Sequence, residues 1–277
     1  AALECPEDCE ADRRESALRG RWLSDGVLSE ADALALYRLA PEAVVWGDGY
    51  TGRDRPFSQA ERFGGVTPAA AAEWALRQPE AEGRRARAVD WAQRLVAACR
   101  KVHAATEELF NLTGKLGADF LHLTCRQYAA DGPPSLEDSH PAHADNCYPS
   151  GGGECVRGPP MYHWRSHSAI LALSGPGDDT FSGGDFFYAP AWDRGPRTRV
   201  TPRAGGVVAF TAGPENIHGV EAVTRGLRCQ LSSWFTDDAG RAGHAAELAA
   251  AEGLLRGAGE ACSADGAAGT RCAGPAA

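Results

Sequence analysis

The sequence is short of positive charge and contains no long hydrophobic run. Lys and Arg number 28 against 37 Asp and Glu, so the 277-residue chain has a formal net charge of −9 at pH 7. Nucleic-acid binding requires a basic surface, so we expect no nucleic-acid partner. No stretch of about 18 consecutive apolar residues occurs, so we also expect no membrane-spanning helix.

Methionine is nearly absent. Met161 is the only one, and the chain begins with Ala1-Ala2-Leu3 rather than with a charged and apolar signal segment, which predicts a mature or trimmed product. The rest of the composition is ordinary, since hydrophobic residues make up 43% and charged residues 23% of the chain. This composition excludes wholesale disorder and leaves room for one large domain or two small ones.

The nine cysteines include three pairs that are close in sequence and lie in polar segments. Such pairs favour disulfides and an oxidising compartment, with reduced thiols as the alternative. An odd number leaves at least one thiol free or intermolecular. Asn111-Leu112-Thr113 is in addition a glycosylation sequon. The three pairs are Cys5/Cys9, Cys147/Cys155 and Cys262/Cys272.

The predicted secondary structure changes from helices to short strands near residue 118. Before it, Ser29 and Thr67 are candidate helix N-caps, and apolar residues at helical spacing predict a long helix over 84–112. After it, alternation in 120–126 predicts the first of many short strands, and 239–257 predicts a terminal helix. The other predicted strands are 168–173, 185–188, 197–201, 206–210, 219–223 and 227–235.

Helices followed by many short strands indicate an α+β fold with a sandwich or jelly-roll core. We therefore divide the chain into a helical support region (1–117), a jelly-roll core (118–238) and a C-terminal helix and tail (239–277), together forming one compact catalytic unit. Residues 131–160 are a long irregular stretch, which is typical of a functional loop.

His143 and Asp145 form the first pattern with chemical meaning. In an extended segment residues i and i+2 point to the same face, so this imidazole and carboxylate could bind one cation. With one His from a distant strand they would make a 2-His-1-carboxylate triad, which suits non-haem Fe(II) oxygenases. The short pattern alone also arises by chance, and His140, His163 and His167 are rival ligands.

His218, at the start of a predicted strand, is the third ligand that we favour. If a hairpin turn spans Thr224–Gly226, His218 and Arg228 share one face of the hairpin. An inward-facing Arg is costly unless it meets an anion, and its planar fork suits a carboxylate. Spacing leaves two interpretations of Arg228 open, a contact to a dicarboxylate or an internal ion pair.

Three segments, His143–Cys147, Ser182–Tyr188 and Gly213–Thr236, follow one another in an order that resembles the catalytic domain of the collagen prolyl 3-hydroxylases. That family belongs to the 2-oxoglutarate and Fe(II)-dependent dioxygenases. The resemblance covers roughly residues 118–238 and implies a double-stranded β-helix core. It implies iron ligands His143, Asp145 and His218, Arg228 at the distal carboxylate of 2-oxoglutarate, a tight hairpin at Gly183-Gly184 and a Cys147–Cys155 disulfide.

The activity implied by the resemblance is hydroxylation of peptidyl proline at ring C3, with C4 as the nearest alternative. The cofactors implied are Fe(II), 2-oxoglutarate and O₂, with ascorbate as reductant, and the co-products are succinate and CO₂. A carboxylate at Asp145 favours hydroxylation over halogenation. We expect the endoplasmic reticulum lumen or the secretory pathway, or the cytoplasm if the cysteines are reduced.

Further contacts are predicted around this centre. Tyr128 and Ser232 are expected to contact 2-oxoglutarate, while Trp234, Tyr162 and Tyr188 could line a groove for a proline-containing peptide, with core packing as the alternative. Two other functions stay open: the same chemistry on another peptide or a small molecule, and a catalytically silent jelly roll that only binds a partner.

Overall fold

Two of the described α-helices begin at a capping side chain. The hydroxyls of Ser29 and Thr67 each accept a hydrogen bond from a backbone N–H in the first helical turn, so both predicted starts are confirmed. The terminal helix starts at Gly243 rather than at residue 239, because a 3₁₀ turn capped by Asp238 precedes it. The helices are α1 (Glu30–Ala43), α2 (Pro68–Leu76), α3 (Arg84–Leu109) and α4 (Gly243–Asp265).

This architecture comes from a computed structural model. It describes residues 20–47, 58–129, 137–158, 162–177, 179–192 and 197–265, with side chains described up to residue 257. The predicted Cys5/Cys9 and Cys262/Cys272 pairings therefore lie outside the described residues. Among the helices that are described, none is long and apolar enough to cross a membrane.

All but two of the described strands form two antiparallel sheets that face each other as a double-stranded β-helix, which confirms the predicted fold class, while β6 and β7 pair in a separate two-stranded sheet. The major sheet has the order β1-β12-β8-β14-β4-β3-β2, with β9 also pairing with β14, and the minor sheet has the order β11-β10-β13-β5. The strands are β1 (Arg21–Ser24), β2 (Val45–Trp46), β3 (Glu61–Val66), β4 (Gly117–Tyr128), β5 (His140–His143), β6 (Tyr148–Pro149), β7 (Cys155–Val156), β8 (His167–Ala172), β9 (Phe181–Gly183), β10 (Phe186–Tyr188), β11 (Thr198–Val200), β12 (Val207–Thr211), β13 (His218–Val220) and β14 (Val223–Thr236).

The major sheet has one apolar face and one polar face. Leu121 and Leu123 of β4 and Leu231 of β14 are buried in the same core cluster as Leu95 and Trp91 of α3. Alternation along the strands therefore turns the intervening polar residues toward the minor sheet. This arrangement creates a polar interior between the two sheets.

Two disulfides lie within the described residues. Cys147–Cys155 is confirmed. Cys125–Cys229, which sequence separation gave no reason to pair, joins directly opposite residues of β4 and β14 and fixes the register of these strands. Cys99 is a buried free thiol.

The prediction of a purely helical first third is wrong. Strands β1, β2 and β3 come from it and occupy three positions of the major sheet, where β3 pairs along β4 from Glu61 opposite Tyr128 to Val66 opposite Leu123. The boundary drawn at residue 118 therefore cuts through one continuous sheet.

Two predicted hairpins are also wrong. Strands β13 and β14 are consecutive but do not pair: β13 pairs with β10 and β5, while β14 pairs with β9, β8 and β4. Gly183 and Gly184 likewise do not close a hairpin, because β9 and β10 pair with different partners. With φ values of +71° and +69°, these two glycines form a left-handed corner that carries the chain from one sheet to the other.

Candidate active site

Strand pairing in the minor sheet brings the predicted metal ligands together. Antiparallel pairing of β5 and β13 places His143 directly opposite His218, and Asp145 follows two residues after His143. Nε2 of His143 lies 3.5 Å from Oδ1 of Asp145, and Nε2 of His218 lies 3.6 Å from Oδ2. One ligand atom from each residue lies within 4.8 Å of the other two.

The tautomers of both histidines are set by backbone carbonyls. Nδ1 of His143 lies 2.9 Å from the carbonyl oxygen of Pro141, and Nδ1 of His218 lies 2.8 Å from that of Asn216. A carbonyl only accepts, so each Nδ1 carries the proton and each Nε2 keeps its lone pair. Hydrogen bonds from the non-ligating ring nitrogen to a carbonyl fix the ring direction of metal-binding histidines.

The carboxylate is ionised and held in place. Burial alone would raise the pKa of Asp145, but the neighbouring imidazoles of His218 and His143, in their protonated forms, lower it below the usual range. The hydroxyl of Ser168 donates to Oδ2 at 2.6 Å. Burial lowers the pKa of His218 to about 4, so this imidazole is neutral at pH 7. Asp145 and His218 are therefore in the protonation states that bind a divalent cation.

The donor set fits Fe(II). Two imidazoles and one carboxylate on adjoining segments form the facial arrangement of non-haem iron oxygenases, which leaves other positions for a second ligand and O₂. Within the part of the chain that the structure describes, this is the one group of three such residues close enough to share an ion.

The rival histidines lie outside this group. His140 is stacked on His143, with ring centroids 4.0 Å apart. His163 is exposed beside Trp164, and His167 contacts the ring of Phe110.

Arg228 is buried on the polar face of β14, next to the pocket that the three ligands line. Its Nε donates to the carbonyl of Gly184 at 2.8 Å, and its Nη1 donates to Oε1 of Gln230. Gln230 in turn donates to the hydroxyl of Ser232 at 2.8 Å, and both line the pocket with the ligands. A Cβ on Gly184 would lie 2.8 Å from Cδ of Arg228, so glycine is required for this approach.

A second buried arginine lies directly opposite Arg228 on the neighbouring strand β4. Arg126 of β4 is in register with Arg228, but Nη1 of Arg126 lies 3.7 Å from Oε2 of Glu61. Oε1 of Glu61 accepts from Ser139 and, at 3.1 Å, from the backbone N–H of Val223. Glu61 therefore offsets the charge of Arg126 and also anchors the start of β14.

The other predicted site residues are in different surroundings. Trp234 lines the pocket and contacts Arg165, while Tyr162 is 48% exposed and its ring contacts the same guanidinium. Tyr188 is buried beside Phe210, and Tyr128 lies at the end of β4. Their roles toward a substrate or 2-oxoglutarate stay predictions.

Sequence reasoning missed the polar residues that support the ligands. Ser168 stands on β8 and Glu61 on β3, and strand pairing joins residues that are distant in sequence. Gln230 was not missed, because alternation along β14 predicts that it lies on the pocket face with Arg228. Nothing local indicated Ser168 or Glu61.

Comparison with known proteins yields close relatives. Prolyl 3-hydroxylase 1 of Mus musculus is 37% identical over 220 residues, covering 79% of this chain and 28% of that protein. Prolyl 3-hydroxylase 3 of Mus musculus is 39% identical over 221 residues, covering 78% of this chain and 29% of that protein. The chain thus spans less than a third of the length of these relatives.

Among solved structures, a prolyl-4-hydroxylase of Pseudomonas putida is 21% identical with a TM-score of 0.45, over 82% of this chain and 97% of that chain. No family model matches the sequence. Over 220 of its residues, this chain is a homologue of the prolyl 3-hydroxylases.

Proposed function

We propose that this chain is a 2-oxoglutarate- and Fe(II)-dependent dioxygenase that hydroxylates peptidyl proline, with ring C3 as the favoured position. The observation that carries the proposal is the convergence of His143, Asp145 and His218 beside buried Arg228 in one pocket. The sequence relationship to prolyl 3-hydroxylases supports the choice of proline as the target.

The protein's own groups have distinct tasks. His143, Asp145 and His218 would hold Fe(II), which together with 2-oxoglutarate and O₂ supplies oxidising power for an unactivated C–H bond, yielding succinate and CO₂. Arg228 would bind the distal carboxylate of 2-oxoglutarate through its planar fork. Ser232 and Tyr128 are proposed as further contacts to 2-oxoglutarate.

The walls of the pocket serve to exclude water. Phe186 and Phe210 come from opposite sheets, with ring centroids 5.7 Å apart, and Ile170 adds an apolar side chain. A dry pocket limits turnover of 2-oxoglutarate that is not coupled to substrate oxidation. Trp234 is proposed to contact the proline ring, and Tyr162 is proposed to contact the peptide farther from the metal. Tyr188 is the third residue proposed to contact the substrate. Ascorbate is proposed as the reductant.

Succinate formation with and without proline-containing peptides tests this function. We expect turnover with Fe(II) and ascorbate to be stimulated by a collagen-like or polyproline peptide that gains the mass of one oxygen atom. NMR of the product would then distinguish C3 from C4. Succinate without peptide oxidation would favour another substrate, and no turnover with iron bound would favour a binding module.

We further propose that the protein folds in the endoplasmic reticulum lumen or the secretory pathway. The Cys147–Cys155 and Cys125–Cys229 disulfides support an oxidising compartment. Asn111 of the sequon is exposed just beyond α3 and is accessible to glycosylation there. Mass spectrometry of the native protein should find a glycan on Asn111. An unmodified Asn111 together with alkylatable Cys147 and Cys155 would instead indicate the cytoplasm.

A further inference from the structure

The direction of the His218 ring depends on the turn that precedes it. Pro214–Asn216 form a single 3₁₀ turn, and the carbonyl of Asn216 accepts the Nδ1 proton of His218. Any rotation of this peptide group moves the acceptor and therefore turns Nε2 away from the other ligands. A short turn has little stiffness of its own, so its position must be set by neighbours.

The side chain of Asn216 is completely buried and anchors this turn. Its Nδ2 donates to the carbonyl of Thr211 at 3.1 Å and to the hydroxyl of the same residue at 2.8 Å. Its Oδ1 accepts from Nε of Arg21 at 2.5 Å. Both ends of the amide are thus engaged, one by β12 and one by the edge strand β1.

Arg21 donates hydrogen bonds to two consecutive residues of the turn. While Nε donates to Asn216, Nη2 donates to the carbonyl of Glu215 at 3.1 Å. The guanidinium lies 4.0 Å from the ring centroid of Tyr188, which is in register with His218 on β10. Backbone pairing of Arg21 with Phe210 holds its Cα in the major sheet. The guanidinium therefore links the major sheet, the turn and the strand beside the ligand.

We propose that Arg21 is a positioning residue for the metal centre, acting through Asn216 on the orientation of His218. The inference rests on the proposed Fe(II) site and adds to it a residue from outside the 118–238 core. Loss of a supporting hydrogen bond to a ligand typically costs about 10–100-fold in metal affinity. Arg21 supports that hydrogen bond through Asn216 rather than making it, so we expect a loss at the lower end of this range, about 10-fold, for Arg21→Met.

Co(II) titration of the metal-free protein measures this effect without any turnover. Arg62→Met is the matched control, because Arg62 also stacks on an aromatic ring, 4.7 Å from that of Trp46, at the other end of the same sheet. We expect Arg21→Met to weaken Co(II) binding and to alter the d–d absorption bands, with both effects absent from the control. Arg21→Lys keeps the positive charge but replaces the planar fork, whose two nitrogens reach the two acceptors, with a single nitrogen, so it should lie between wild type and Arg21→Met.

The outcomes separate the two proposals. Equal Co(II) affinity and equal spectra in wild type and Arg21→Met would overturn the role of Arg21 while leaving the metal centre intact. Equal losses in Arg21→Met and Arg62→Met would show a general effect on folding and would also overturn it. Failure of the wild-type protein to bind Co(II) would overturn the metal centre itself, and the role of Arg21 with it.

Discussion

Replacing Asp145 with Ala should abolish peptide-dependent succinate formation and weaken Co(II) binding by at least about 100-fold. Asp145 is the one anionic residue among the three proposed ligands, and it is ionised at neutral pH despite its burial. Without it two imidazoles remain, which give neither the charge nor the third donor that Fe(II) needs. The measurements are Co(II) titration and succinate production at saturating Fe(II).

A surface carboxylate provides the control for this experiment. Asp90 forms an exposed i,i+4 pair with Arg94 on α3, so Asp90→Ala should leave both readouts at wild-type values. Wild-type Co(II) affinity in Asp145→Ala would contradict the assignment of this carboxylate as a ligand. Lost activity with unchanged metal affinity would instead place Asp145 in a different role.

Replacing Arg228 with Met should raise the KM for 2-oxoglutarate by roughly 30-fold or more, with a smaller effect on kcat. Truncating one partner of a buried, hydrogen-bonded charge pair costs about 2–5 kcal/mol, and each 1.4 kcal/mol is about tenfold in affinity. Methionine keeps most of the side-chain volume, so the change removes the fork rather than the packing. Steady-state kinetics with varied 2-oxoglutarate measure the effect.

Arg126, directly across the ladder, supplies the comparison. Because its charge faces Glu61 at 3.7 Å, Arg126→Met should lower the melting temperature by leaving Glu61 buried without a cation, while the KM changes little. A 2-oxo acid without a distal carboxylate, such as 2-oxobutyrate, should discriminate little between wild type and Arg228→Met. The opposite pattern, with KM raised only in Arg126→Met, would move the carboxylate site to Arg126.

The sequence predicted correctly those features that depend only on neighbouring residues, namely helix starts and side-chain alternation along a strand. The caps at Ser29 and Thr67 and the alternation of β4 could be read directly, because hydrogen bonds to the first helical turn and side-chain direction depend on near neighbours. Strand β3 could not be predicted from its own sequence, because it contains Glu61 and two glycines, which are poor strand formers. It is a strand because β4 offers it an edge to pair with.

The three residues that lie together at the proposed metal centre could be predicted from the sequence, but the residues that support them could not. His143, Asp145 and His218 were identified by type, spacing and resemblance, whereas Ser168 and Arg21 act through contacts across strands that no spacing rule connects. The hairpin expected between His218 and Arg228 failed for a topological reason. Consecutive strands usually pair, but in two facing sheets the chain crosses from one to the other at that point.

Strands β1, β2 and β3, which come from the first third of the chain, protect the edges of the major sheet against aggregation. They cover both ends of the major sheet, since β1 lies outside β12 while β3 and β2 lie outside β4. A fragment trimmed to residues 118–238 would present β12 and the 12-residue β4 as bare edges with unpaired N–H and C=O groups. Long unpaired edges are templates for pairing with other chains. The first third is therefore the part of this protein that keeps its major sheet from pairing with that of a neighbouring molecule.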